Sequence, residues 1–361
     1  MSRVDADRSN LRAAVSWSVR AGCPELGLRL AVALVRAGRL HTETRGWIET
    51  TLSAAEDLEP HLHAKARLSL GLIMGGGPAA MEQVRDALGL FQAVSDVHGA
   101  AEALMALSTD TDQAGHSSRA IDLAREGLEL ARTTGDQWLI ARALAAQVLG
   151  SGESFQQSRR FAKQGLDMLR RCGDRMQLSI ALGNFGFSAM AAGDYEAAAP
   201  HLDEALKIAD ELNEGRFLPF HTVNRGLLHV LKAEDLPAAR DFARTLELCR
   251  ASGEPLPVAE ALTGLAAIAV RQDDMVMAAS LSGAADAQRV FQAVGVAERR
   301  LREQVLDLAR AQGDDRAWAR AWTEGNSLTF DEAIAAGVHA EILLRGGAGS
   351  AARRGPTPGP M

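Results

Sequence analysis

The sequence predicts an all-α chain, a right-handed superhelical solenoid of helical hairpins stacked at a fixed pitch. Three observations predict it. The first is a repeat. A small residue followed by Leu recurs as Ala87-Leu88, Gly127-Leu128, Gly165-Leu166 and Ala205-Leu206, with Thr245-Leu246 closing the series. The leucines are spaced 40, 38, 40 and 40 residues apart, and seven residues before each marker stands another small residue (Ala80, Ala120, Ser158, Ala198, Ala238). A small side chain at a helix crossing leaves the hole that a neighbouring Leu fills, so the alternation lets helices approach closely and lock. The second is composition. Apolar residues make up 47% of the 361, but aromatics only 4%, and Ala and Leu dominate. That favours helix packed on helix over sheets, which want branched and aromatic side chains. The third is punctuation: Gly135-Asp136, Gly173-Asp174 and Gly193-Asp194 each supply a left-handed helix end followed by a side-chain cap for the next helix.

Taken in order, a first amphipathic helix begins between Asp5 and Ser9 and carries Leu11, Val15 and Val19 until Gly22 and Pro24 break it. Helices follow over Glu25–Ala37, Thr42–Asp57 (with Trp47 and Leu52) and Pro60–Ile73. Gly75-Gly76-Gly77-Pro78 reads as a loop, because Ala79 and Ala80 stand where a phosphate cradle would need Lys and Ser or Thr. Helices near Ala79–Val94 and Gly99–Asp112 come next. Ser117–Thr134 then pairs with Trp138–Leu149, and Gln156–Arg171 with Met176–Ala191. The reference hairpin, Ser179–Leu212, turns at Ala192-Gly193-Asp194 and has Ala198, Ala205 and Leu206 at its crossing. Phe217–Lys232, Leu236–Ala251, Pro257–Arg271 and Val276–Val294 continue the array. Ala297–Gln312 and Asp314–Thr323 read as a closing pair, and Ser327 to Glu332 as a capping-box start of a short last helix. The expected organisation is therefore N-terminal hairpins over 1–75, regular repeats over 76–296, capping helices over 297–344 and a Gly/Pro-rich disordered tail over 345–361.

The net charge is −7 with both signs mixed along the chain, which gives no general attraction to nucleic acid. Arg159, Arg160, Lys163, Arg170, Arg171 and Arg175 cluster near one helix, but Asp167 and Asp174 dilute them, and a solvated outer face accounts for them. Cys23, Cys172 and Cys249 are far apart and odd in number, which suits a reducing compartment rather than a disulfide framework. With no signal-like start and no long uncharged apolar run, a cytoplasmic protein is expected. The four lysines (Lys65, Lys163, Lys207, Lys232) never follow a Gly, so no Walker loop exists, and HExxH, CxxC and GxSxG are absent too. His61 and His63 would point to different sides of a helix, so no metal site is expected there. No enzyme activity and no cofactor are predicted.

Binding to such an array usually uses the inner helices that line its concave side. The first helices of the hairpins offer Gln147, Phe187, Met190, Phe220, Asn224, Leu227 and His229 as groove residues; packing against the next hairpin is the alternative for each. The packing residues proper are Leu88, Leu128, Leu166, Ala198, Ala205, Leu206 and Leu246.

The hairpins resemble tetratricopeptide repeats of the longer, roughly 40-residue kind. Two further stretches resemble the LuxR-type and AfsR-type regulators of the bacterial signal-transduction ATPase group. DADRSNLRAAVSWSV is similar to the segment after their ATPase and winged-helix modules. GLAAIAVRQDDMVMAASLSGAADAQRV with WTEGNSLTFDEAIAAGV is similar to the end of their repeat region. The resemblance runs from about Asp5 to Val338, and neither the nucleotide-binding loop nor a terminal helix-turn-helix has a counterpart here. It implies the sensor and assembly region of such a transcriptional regulator, without its ATPase and DNA-binding parts. The partners it implies are another protein, such as a separate ATPase subunit, or a small inducer, with no membrane and no direct nucleic-acid contact. A free-standing scaffold for assembling protein complexes is the rival reading.

Overall fold

The computed structural model describes residues 7–36, 41–55, 57–113, 116–149, 155–212, 217–252, 256–289, 295–312 and 314–353. Among them all regular structure is helical, and the chain divides into two compact units, Met1–Cys172 and Gly173–Met361.

Unit 1 holds α1 (Arg8–Arg20), α2 (Pro24–Arg36), α3 (His41–Ala54), α4 (Pro60–Met74), α5 (Pro78–Ala93), α6 (Val97–Gln113), α7 (Ser117–Thr134), α8 (Gln137–Leu149) and α9 (Phe155–Cys172). Its closest-packed pairs are α4 with α5, α6 with α7, and α8 with α9. The small marker residues sit at those crossings. A Cβ on Gly127 would lie 3.3 Å from Leu104 Cβ, and one on Gly165 3.2 Å from both Leu144 Cβ and the Ala141 carbonyl oxygen. Leu128 and Leu166 are buried beside them, whereas Leu88 is half-buried at the edge of the cluster around Phe91 and Leu104.

Unit 2 holds α10 (Arg175–Ala191), α11 (Tyr195–Leu212), α12 (Leu218–Leu231), α13 (Asp235–Ser252), α14 (Leu256–Arg271) and α15 (Met275–Ala287) as three hairpins. Ala198, Ala205, Leu206 and Leu246 are buried in it. Successive hairpins are keyed to each other by one ring. Phe242 of α13 is fully buried; a Cβ on Gly226 of α12 would lie 2.7 Å from its Cε1, and one on Gly264 of α14 only 2.1 Å from its Cζ.

The pairing differs from the sequence expectation in unit 1. Ser117–Thr134 packs chiefly with the helix before it, not with α8, and Phe155–Cys172 likewise packs with α8. The tight Gly-Asp turn misleads here because it serves two junctions. Gly135 (φ 70°) and Asp136 join one hairpin to the next in unit 1, while Gly193 (φ 84°) and Asp194 close a hairpin in unit 2.

After α15 the array is interrupted. α16 (Val296–Leu301), a π-helical turn (Arg302–Leu306) and α17 (Asp307–Gln312) do not form a closing hairpin with the next helix. Instead α16 runs against α10, α12 and α14. The chain returns as α18 (Asp315–Asn326), which takes the place beside α15, and ends in α19 (Phe330–Arg353) against α13 and α14. Half of the capping box forms at α19: Glu332 accepts from the Thr329 backbone N–H at 2.9 Å and from its hydroxyl at 2.6 Å. This helix is not short: its backbone continues through 346–353, where a tail was expected. The remainder of the expected tail, 354–361, lies outside the described residues.

Candidate functional site

The inner helices of unit 2 repeat at 40 residues, and the register aligns their side chains in rows. Ile180, Phe220 and Glu260 form one row, Asn184 and Asn224 a second, and Phe187, Leu227 and Ala267 a third. The structure divides the candidates between surface and core. Phe187, Phe220 and Asn224 are half-buried, and so are Ile180 and Asn184. Met190 and Leu227 are fully buried and belong to the interior. The difference lies in the neighbour each side chain meets. Met190 lies four residues after Gly186, which faces Leu202 of α11, while Leu227 continues the buried stripe from Val223 to Val230. His229 turns to its own hairpin, with Nδ1 2.5 Å from Glu234 and Nε2 3.8 Å from Asp241. Gln147, in unit 1, is buried, and its Nε2 has no hydrogen-bond partner among the described residues. Asn184 was not singled out from the sequence, although it precedes Asn224 by one full repeat.

The interrupting segment lies across these rows. A Cβ on Gly295 would be 3.7 Å from Phe187 of α10 and 3.7 Å from Glu260 Oε1 of α14, so the backbone there crosses above the intervening α12. Ala297, Glu298 and Leu301 are buried. Glu298 is held by three groups: the Thr263 hydroxyl donates to it at 2.8 Å, Arg289 at 3.1 Å and through a second, shorter contact, and Arg302 at 3.3 Å. Arg302 also donates to Asp286 at 2.7 Å, whose other oxygen accepts the Trp322 indole N–H at 3.1 Å. Arg300 donates to the carbonyls of Met190, at 3.4 Å, and Ala191, at 2.9 Å, at the C-terminal end of α10. The Met190 carbonyl also accepts from the Gly193 backbone N–H at 3.0 Å, and both carbonyls lie at the negative end of the helix dipole, so a cation suits them. Burial, with the Glu298 carboxylate nearby, pushes the Glu260 carboxyl up to about 8, against the pull of Arg289. At neutral pH Glu260 is therefore mostly a neutral acid.

A second buried polar pair lies between α10 and α12. His221 Nε2 is 3.1 Å from Ser179 Oγ, and the Ser179 hydroxyl donates to the Ala205 carbonyl at 2.9 Å. The serine oxygen thus accepts from a neutral imidazole, and burial holds His221 down at about 4. Both side chains are buried, out of reach of any substrate.

No group of three or more His, Cys, Asp or Glu side chains among the described residues is placed to hold a metal ion. His61 pairs with Asp96 at 2.8 Å, and His63 accepts from Arg67 at 3.0 Å. The basic residues Arg159, Arg160, Lys163, Arg170 and Arg171 are exposed on α9. No helix among the described residues is long and apolar enough to cross a membrane.

No protein-family model matches the chain, and no curated protein matches it. Solved structures do. A Signal Transduction ATPase with Numerous Domains protein with a tetratricopeptide repeat sensor, from Pyrococcus horikoshii, is 14% identical with a TM-score of 0.53. The match covers 93% of this chain and 52% of that one, so the chain spans about half of the ATPase. A Rap protein complexed with Competence and Sporulation Factor is 11% identical with a TM-score of 0.54, over 94% of this chain and 99% of that one. The Rap conjugation gene regulator of the plasmid pLS20, in complex with the Phr* peptide, is 13% identical with a TM-score of 0.54, over 87% and 80%. At these identities the likeness establishes the fold: an all-α solenoid of helical hairpins.

Proposed function

We propose that the chain is a non-catalytic recognition module whose unit-2 inner face takes a peptide segment of a partner protein. The observation that carries this is the pair Asn184 and Asn224. They stand one repeat apart on adjacent inner helices, half-buried, with no hydrogen-bond partner among the described residues. A primary amide both donates and accepts, so two amides on neighbouring helices can hold polar groups of a peptide segment. Phe187 and Phe220 beside them offer apolar contact for its apolar side chains. The Phr*-bound Rap regulator supports this reading, since a protein of the same fold is seen with a peptide. The wider role we propose is the sensing and assembly region of an ATP-dependent bacterial transcriptional regulator. It is supported by the resemblance of the first and closing stretches and by the repeat sensor of the Pyrococcus ATPase.

Selection of random dodecapeptides on the full chain tests the reading. Selected peptides should bind the Asn184→Ala/Asn224→Ala variant at least tenfold more weakly, about 1.4 kcal/mol, with its helicity unchanged. Equal binding to the double variant refutes it, and so does a failure to enrich peptides on both the full chain and its Arg300→Ala/Leu301→Ala form.

A further inference from the structure

The segment from Gly295 to Leu306 lies in the groove as a ligand would. It crosses three successive inner helices, and it comes from beyond the last hairpin rather than from within the stack. Its contacts are those of docking more than of core packing. Ala297 and Leu301, four residues apart, are its buried apolar anchors, while Glu298 and Arg300 reach Thr263 and the α10 carbonyls. A helix with apolar residues at i and i+4 and polar hooks between them is a common form of peptide ligand.

Two features make this occupancy costly. Glu298 brings its carboxylate near Glu260, and burial together with that charge obliges Glu260 to stay protonated at neutral pH. The chain also leaves the groove through the π-helical turn Arg302–Leu306, a rare geometry that tends to mark functional positions in helices. A stacking helix has no need of either.

We propose that Gly295–Leu306 is an internal occupant of the unit-2 groove, which a partner helix of the same pattern displaces. That pattern is a small apolar residue, an arginine or lysine three positions on, and a leucine one position after that. The inference rests on reading the inner face as a recognition surface, and it adds that the isolated chain holds this surface closed. Effective concentration explains how: a tethered segment outcompetes a free peptide of equal intrinsic affinity until the partner supplies more contacts.

The probe is a labelled synthetic peptide of Gly295–Gln312, titrated into the full chain and into Arg300→Ala/Leu301→Ala. The two substitutions loosen the tethered copy and leave the groove walls intact. Hydrogen exchange at 296–306 should be at least tenfold faster in the double variant, with α10, α12 and α14 unchanged, and the peptide should bind it at least tenfold more tightly. Faster exchange without a gain in binding overturns the proposal, and so does unchanged exchange. If the double variant loses helicity, Arg300→Ala alone repeats the comparison, since that side chain is only half-buried and touches backbone carbonyls. Dodecapeptides selected on the chain separate the two readings. If they bind wild type and the double variant equally while 296–306 opens in the variant, the groove recognises peptides but the strap does not block it. If neither they nor the strap peptide bind any form, the recognition reading itself fails.

Discussion

Lowering the pH from 7 to 5 should destabilise unit 2 through one residue, His221. In the unfolded chain this imidazole takes up its proton near 6.5; in the folded chain it resists until about 4, because it is buried and its Nε2–H is already given to Ser179. The other ring nitrogen faces Gly183, where a Cβ would stand 2.4 Å from Nδ1, and no acceptor among the described residues meets a second proton. The folded value is depressed, so the unfolded state binds more protons throughout this window and stability falls with the pH. Linkage gives a loss of about 2 kcal/mol between pH 7 and pH 5, rising to about 3 kcal/mol by pH 4. Urea unfolding followed by circular dichroism at both pH values, for wild type and His221→Gln, isolates this contribution, since other titrating groups cancel in the difference. The variant should be less stable at pH 7 and lose about 2 kcal/mol less on acidification. Parallel losses in the two proteins would falsify the assignment of a buried, neutral histidine.

Glu260 should act in the opposite sense. Its folded value is raised to about 8 from an ordinary 4.5, so stability is lost as the pH climbs through that interval. Discounted for its partial exposure, Glu260→Gln should gain about 1–2 kcal/mol over wild type at pH 8, with the gap closing toward pH 5, as measured by urea unfolding. Met190→Ala should cost about 2–5 kcal/mol and Phe187→Ala less than half of that, because one side chain is fully buried and the other is not. Equal losses in thermal denaturation would place both in the core.

The helices and their pitch were legible because the small-plus-Leu marker records a local necessity: two backbones can approach only where side chains are small, and each hairpin repeats it. Asn184 was legible by the same rule, one repeat before Asn224, but a polar residue on a helix carries no such mark by itself. Which inner-face residues are covered could not be read. Met190 and Phe187 differ by less than one helical turn, and their fates depend on which neighbour each faces. The strap was hidden for a related reason. Val296–Gln312 has the amphipathic pattern of any repeat helix, and what sets it apart is that Arg300 finds its partners in Met190 and Ala191, far beyond the one-repeat reach of Arg142 to Glu102 or Arg271 to Asp235. Pairing phase failed at the Gly-Asp turns, whose chemistry ends one helix and starts the next without saying which two form the hairpin.

Phe242 reaches Gly226 in its own hairpin and Gly264 in the following one, so the ring is shared property. The hairpins of unit 2 are therefore not interchangeable modules. Moving Leu218–Ser252 to another place in the array would carry the key away from one of its two locks. Shortening or shuffling this chain by whole repeats should accordingly fail at the Phe242 junction, unless the receiving inner helix also brings a glycine to meet it.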